Sequence, residues 1–143
     1  MPPDARTVRT RHGELTLEQI ADALPGTADI MESVGVAWWK CAYAARGGNW
    51  PLAAYFARRV HDLLGSLAVT RPKYVDDAAA FQAGALGDAL RACERADGAA
   101  FERAFVAATD RANEMHVKWG KGYLRWTLPD EPPKDLDLRP QPQ

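Results

Sequence analysis

His116 and Asn113 carry the best-placed polar chemistry in the chain. They close a segment in which Phe101, Phe105, Ala108, Ala112, Met115 and Trp119 recur at steps of four and three, the buried stripe of one helix. At 100° per residue His116 falls roughly 60° from that stripe and Asn113 roughly 120° from it. Three residues apart, the two can share one pocket beside the core. Imidazole is the side chain suited to general acid–base work, and an amide next to it can orient a carbonyl or a water. A half-buried histidine equally serves to bond a neighbouring helix or a carbonyl.

Further residues could complete such a site. Trp38, Tyr55, Trp119 and Tyr123 offer an aromatic wall for a small planar or apolar ligand. Arg59, Arg71 or Lys73 could hold a carboxylate. Other chemistries lack their residues. No GxSxG elbow, phosphate-binding loop or dinucleotide glycine pattern occurs. A carboxylate-bridged di-iron centre needs Glu-x-x-His pairs; Glu114 and His116 are two apart and face different ways. Cys41 and Cys93 have no CxxC or Cys/His spacing, so no metal site is expected. On apolar faces of different helices they read as buried thiols of a reducing cytoplasm, with a disulfide between them as the alternative. No cofactor is expected; haem held by His116 and Met31 is the residual option.

The elements that position these residues are helical. Leu15 to Leu24 reads as a short helix with a Thr16/Gln19 capping box, stopped by Pro25-Gly26 and greasy enough along one edge to lie across its neighbours. A helix from Ala28 to Arg46, capped by Thr27, buries Ile30, Val34, Ala37, Trp38, Cys41 and Ala45. Its nearly opposite side is apolar too, with Val36, Trp39 and Tyr43, and something must cover it: the first helix, the chain's end, or a second copy in a homodimer. The next helix starts at Asn49-Trp50-Pro51 and ends at Arg71 before Pro72. Leu52, Phe56, Val60, Leu63 and Leu67 form its stripe, and His61 points to solvent. Tyr74 to Cys93 reads as one helix of mostly small residues, suited to close packing or to lining a cavity. Asp97 caps the helix that carries His116, and Gly120 and Gly122 end it.

Together these give an all-α chain with residues 1–14 disordered. Residues 15–126 form a single up-down-up-down four-helix bundle with a short N-terminal helix. An extended C-terminal tail spans 127–143, where five of the ten prolines lie; Leu128, Leu136 and Leu138 could pin it along a groove of this chain or of a partner subunit, and a free tail is the alternative. No stretch alternates long enough to be a strand. The net charge of −1 argues against general nucleic-acid binding and against a polybasic membrane anchor. No apolar run approaches a membrane span, and no signal peptide is apparent.

At Asn49-Trp50-Pro51-Leu52-Ala53-Ala54-Tyr55, Arg71-Pro72-Lys73-Tyr74, Ala112-Asn113-Glu114-Met115-His116 and Trp126-Thr127-Leu128-Pro129 through Pro132-Pro133, the chain resembles a set of small bacterial all-helical proteins. The resemblance covers residues 28 to 138. It implies the fold and adds weight to Asn49, Tyr55, Asn113 and His116, but it attaches no activity. The leading expectation is a cytoplasmic, dimeric protein that binds a small molecule near His116 and Asn113. The alternatives are an enzyme with His116 as its acid–base, and an interaction module using the Trp39/Tyr43 face and the tail.

Overall fold

In a computed structural model that describes residues 6–142, the chain is mainly helical. It also holds a hairpin that the sequence did not announce. Strand β1 (Thr7–Thr10) pairs antiparallel with β2 (Gly13–Thr16), with Val8 opposite Leu15. The expected disorder over 1–14 therefore fails for the described part of that stretch; residues 1–5 and Gln143 lie outside the described residues. Each strand has only four residues, too few for alternation to stand out. The hairpin is joined by the Val8–Leu15 pair and by a bond from the Thr7 hydroxyl to the Glu14 carboxylate.

Thr16 ends β2 and starts helix α1 (Leu17–Ala23). The capping box is present: Gln19 N–H donates to Thr16 Oγ1 at 3.0 Å, and Thr16 N–H donates to Gln19 Oε1 at 2.9 Å. The helix is shorter than expected because Leu15 belongs to the strand. It buries no residue, and Leu17 and Leu24 stay exposed, so α1 does not bury its greasy edge across the other helices.

Helix α2 (Thr27–Arg46) has Gly26 at its N-cap, without a side-chain bond, rather than Thr27. Helix α3 (Trp50–Thr70) takes Asn49 rather than Trp50 as its cap, with Leu52 N–H donating to Asn49 Oδ1 at 3.3 Å, and it stops at Arg71 before a single turn over Pro72–Tyr74. The helix expected over Tyr74 to Cys93 is two: α4 (Val75–Ala83) and α5 (Ala85–Glu94). They break at Gly84, where a Cβ would stand only 2.9 Å from the carbonyl oxygen of Ala80. A bare α-carbon lets the chain turn against that carbonyl. Helix α6 (Gly98–Lys118) is capped by Asp97, whose Oδ1 accepts from Ala100 N–H at 3.0 Å. Gly120, at φ +75°, supplies the left-handed residue that ends it.

α2 lies along α3, α5 along α6, and α3 joins the two pairs through α5. The expected stripes face inward: Val34, Trp38 and Cys41 of α2, Phe56, Val60 and Leu67 of α3, Phe101, Phe105 and Ala108 of α6 are all buried. Trp38 stacks on Phe105 at 4.9 Å and donates its indole N–H to Thr109 Oγ1 at 3.0 Å. α2 and α6 meet only sparsely. The break at Gly84 leaves α4 short beside them, and space remains between the Thr27 end of α2, the Leu67 end of α3, α4 and the His116 end of α6.

After α6 the described residues form no regular element, yet they do not hang free. They run back along α2 to the start of α3, where Leu138 is buried.

Candidate functional site

The space between α2, α3, α4 and α6 is a half-open cleft of about 630 Å³. Its walls are mostly apolar. The buried Trp38, Leu64, Leu67 and Ala78 line it together with the half-buried Met31, Phe81 and Met115. His116, Trp119, Tyr123, Leu124 and Trp126 line it from α6 and the segment that follows. That segment is a wall because two side chains of α6 hold it. Asn113 bonds the main chain of Trp126 twice: Trp126 N–H donates to Oδ1 at 2.7 Å, and Nδ2 donates to the Trp126 carbonyl at 3.1 Å. The side-chain amide thus pairs with the backbone like a strand neighbour. One turn on, His116 Nδ1 lies 2.8 Å from the Leu124 carbonyl oxygen.

A carbonyl oxygen can only accept, so this contact requires a proton on Nδ1. In the neutral ring Nε2 then carries the lone pair. The Trp126 ring stands edge-on to the imidazole at 5.6 Å and 77°, and edge-on to Trp39 at 5.4 Å. The imidazole is oriented by a carbonyl on one side and an indole on another. No carboxylate pairs with it among the described residues.

At the other end of the wall Asp77 fixes Trp119. Its carboxylate accepts from Trp119 Nε1 at 2.9 Å and from Lys118 Nζ at 2.9 Å on each oxygen. The Lys118 and Trp119 bonds hold the Asp77 carboxyl below the usual carboxylate range. Trp119 also meets Tyr74 edge-on at 4.8 Å, and the Lys73 ammonium lies 5.0 Å from the Tyr74 ring and 5.9 Å from that of Trp119.

The residues proposed as one ligand site thus divide. His116, Trp38, Trp119 and Tyr123 line the cleft. Asn113 is buried behind the wall, with both polar atoms of its amide spent on Trp126, so it positions the wall rather than facing a ligand. Tyr55 and Arg59 are not at the cleft at all. They line a shallower groove with Lys40 and Val36, because on α3 they lie round from the stripe that faces His116. Arg71 donates to the Thr70 carbonyl at 2.9 Å. His61 is exposed beside Asp62.

The second apolar side of α2 also needs correction. Trp39 and Tyr43 are covered by the chain's own tail: Trp39 by Trp126, and Tyr43 by the Pro129 carbonyl, to which its hydroxyl donates. The reason for expecting a second copy on this face therefore disappears, and Val36 alone of the three stays exposed. Three further bonds hold the tail. Asn49 Nδ2 donates to the Leu138 and Arg139 carbonyls at 3.3 and 3.0 Å, and Lys40 Nζ reaches Asp135 at 2.6 Å. That bond lowers the Asp135 pKa. Lys40 is buried and was missed from sequence. The available signal was a lysine set between Trp39 and Cys41 on a helix apolar on two sides.

Cys41 and Cys93 are free, buried and in mutual contact. The bond with Cys93 and burial push the Cys41 thiol well up, while Cys41 lowers Cys93. Among the described residues no group of three or more His, Cys, Asp or Glu is placed to hold a metal ion, and no helix is long and apolar enough to cross a membrane. Comparison of the chain with protein-family models, with curated proteins and with solved structures finds no match.

Proposed function

We propose that the protein binds a small planar or apolar molecule in the cleft beside His116, within an up-down-up-down bundle whose third rod is broken at Gly84. The observation that carries this is the cleft itself. About 630 Å³ of largely apolar, aromatic-walled space lies within the range of small-molecule sites. One imidazole with a carbonyl-fixed tautomer sits on its wall. Such a ring offers an acceptor to a ligand hydroxyl or N–H while apolar walls take the ligand body. The two free, buried thiols support a reducing compartment such as the cytoplasm.

A neutral aromatic dye, N-phenyl-1-naphthylamine, tests the reading by fluorescence titration. Saturable one-to-one binding is expected, with quenching of the tryptophans that line the cleft. Ala78→Phe, which fills the cleft from α4, should abolish it while circular dichroism stays that of the parent. Binding that survives this substitution, or no binding by the parent, refutes the cleft as a ligand site.

A second reading has one observation in its favour. Met31 and His116, on different helices, line the same cleft, so a haem could find both axial ligands there. Haem titration reads it directly. A Soret shift lost in His116→Ala would support it, and an unshifted spectrum would end it.

A further inference from the structure

Resting on the cleft reading, we propose that the ligand carries an anionic group, a carboxylate or its like, held at the rim by Lys73 and Lys121 while the apolar body lies against Trp38 and Phe81. Four charged side chains line the cleft: Glu32, Lys73, Asp77 and Lys121. They are not equal in effect. Asp77 gives both oxygens to Lys118 and one also to Trp119, so its charge is matched locally. Glu32 enters no ion pair among the described residues, but it is a single carboxylate, shared between the cleft and the groove beside Arg59, and two ammonium groups stand against it. Lys73 and Lys121 enter no ion pair among the described residues.

Lys73 is also positioned. Its ammonium lies over the Tyr74 and Trp119 rings, at 5.0 and 5.9 Å. Asp77 locks the Trp119 ring by its N–H. Lys121 follows two residues after Trp119, its backbone N–H tied to the His116 carbonyl at 2.7 Å. Two unmatched cations thus stand on the same rim, beside an aromatic ring that cannot swing away. The walls are mostly apolar. The cleft therefore suits an amphipathic anion better than a neutral or cationic molecule of the same shape: the body is desolvated inside, and the charge meets ammonium groups at the mouth.

Two dyes with one body separate this from the reading it rests on. 8-Anilinonaphthalene-1-sulfonate is N-phenyl-1-naphthylamine with a sulfonate added. The full-length protein should bind the sulfonate roughly tenfold more tightly than the neutral dye, as expected for a charge-assisted contact near solvent. Lys73→Gln and Lys121→Gln should each cut that advantage by roughly threefold, and the double variant should remove it, with neutral-dye affinity unchanged. Added salt should weaken only the sulfonate. Equal binding of the two dyes, or an advantage that survives in the double variant, overturns the anionic ligand and leaves the apolar cleft standing. If neither dye binds, or if both still bind to Ala78→Phe, the cleft reading falls and this inference with it.

Discussion

Asn113→Ala tests the part of the structure on which the cleft depends. The side chain is buried and makes two bonds to one residue, accepting from Trp126 N–H at 2.7 Å and donating to its carbonyl at 3.1 Å. Each is worth about 1 kcal/mol net. Trp126 is half-buried, so water can reach part of the released main chain and the orphaned groups do not bear the full burial penalty. The expected loss is therefore about 2–3 kcal/mol, or roughly 6–15 °C in Tm for a domain of this size. It has a ceiling, because the tail can let go before the helices separate. The variant should then show rapid hydrogen exchange at the Trp126 amide, which Asn113 protects, and a red-shifted tryptophan emission, with helical circular dichroism retained. Asn113→Asp keeps the acceptor and loses the donor, so it should fall in the same direction. The reasoning is refuted if Asn113→Ala melts within about 0.5 kcal/mol of the parent and its Trp126 amide exchanges no faster.

Four other outcomes follow from particular contacts. Lys40 is buried against an exposed Asp135; Lys40→Met should leave Tm unchanged or raise it, whereas Asp135→Ala, which strands the ammonium, should lower it. Asp77 has a depressed pKa in the fold, so its contribution is present above the ordinary 3.8 and fades as pH falls through the folded value. The Tm gap between the parent and Asp77→Asn should accordingly be widest near neutral pH and close in acid; a gap constant with pH would contradict the ion pair. Gly84→Ala puts a Cβ 2.9 Å from the Ala80 carbonyl oxygen and should cost about 1–3 kcal/mol in urea melts. The native protein should react slowly with a thiol reagent at Cys41 and Cys93, both buried, and release two equivalents once unfolded; fast native reaction would mean the two helices part readily.

Helical periodicity made α2, α3 and α6 legible, with two of their caps, because burial along a helix repeats in residue type. It did not show the hairpin, whose four-residue strands carry no sustained alternation. Nor did it show the break at Gly84, which the small residues on both sides disguise. For the cleft, it found the wall residues Trp38, His116, Trp119 and Tyr123, and misplaced Tyr55 and Arg59, which share the polarity of a site but face another side.

The tail shows why some of the polar signals misled. It is held largely by its own main-chain carbonyls, those of Leu124, Trp126, Pro129, Leu138 and Arg139. Every residue has a carbonyl, so these bonds leave no mark in the tail's own sequence, where only the apolar Trp126, Leu128 and Leu138 signal that it docks. The mark appears on the opposite side, as polar groups on helices with no evident partner: Tyr43, Asn49, Asn113 and His116. Those are residues that looked like chemistry or like an interface. Tyr43, Asn49 and Asn113 hold the tail through the polar ends of their side chains, and none of them lines the cleft. His116 differs. One nitrogen serves the tail, and the second is unspent in an aromatic cleft. A polar residue on a helix face therefore counts toward a binding site only after the returning chain has taken its share, and by that measure the imidazole is what remains.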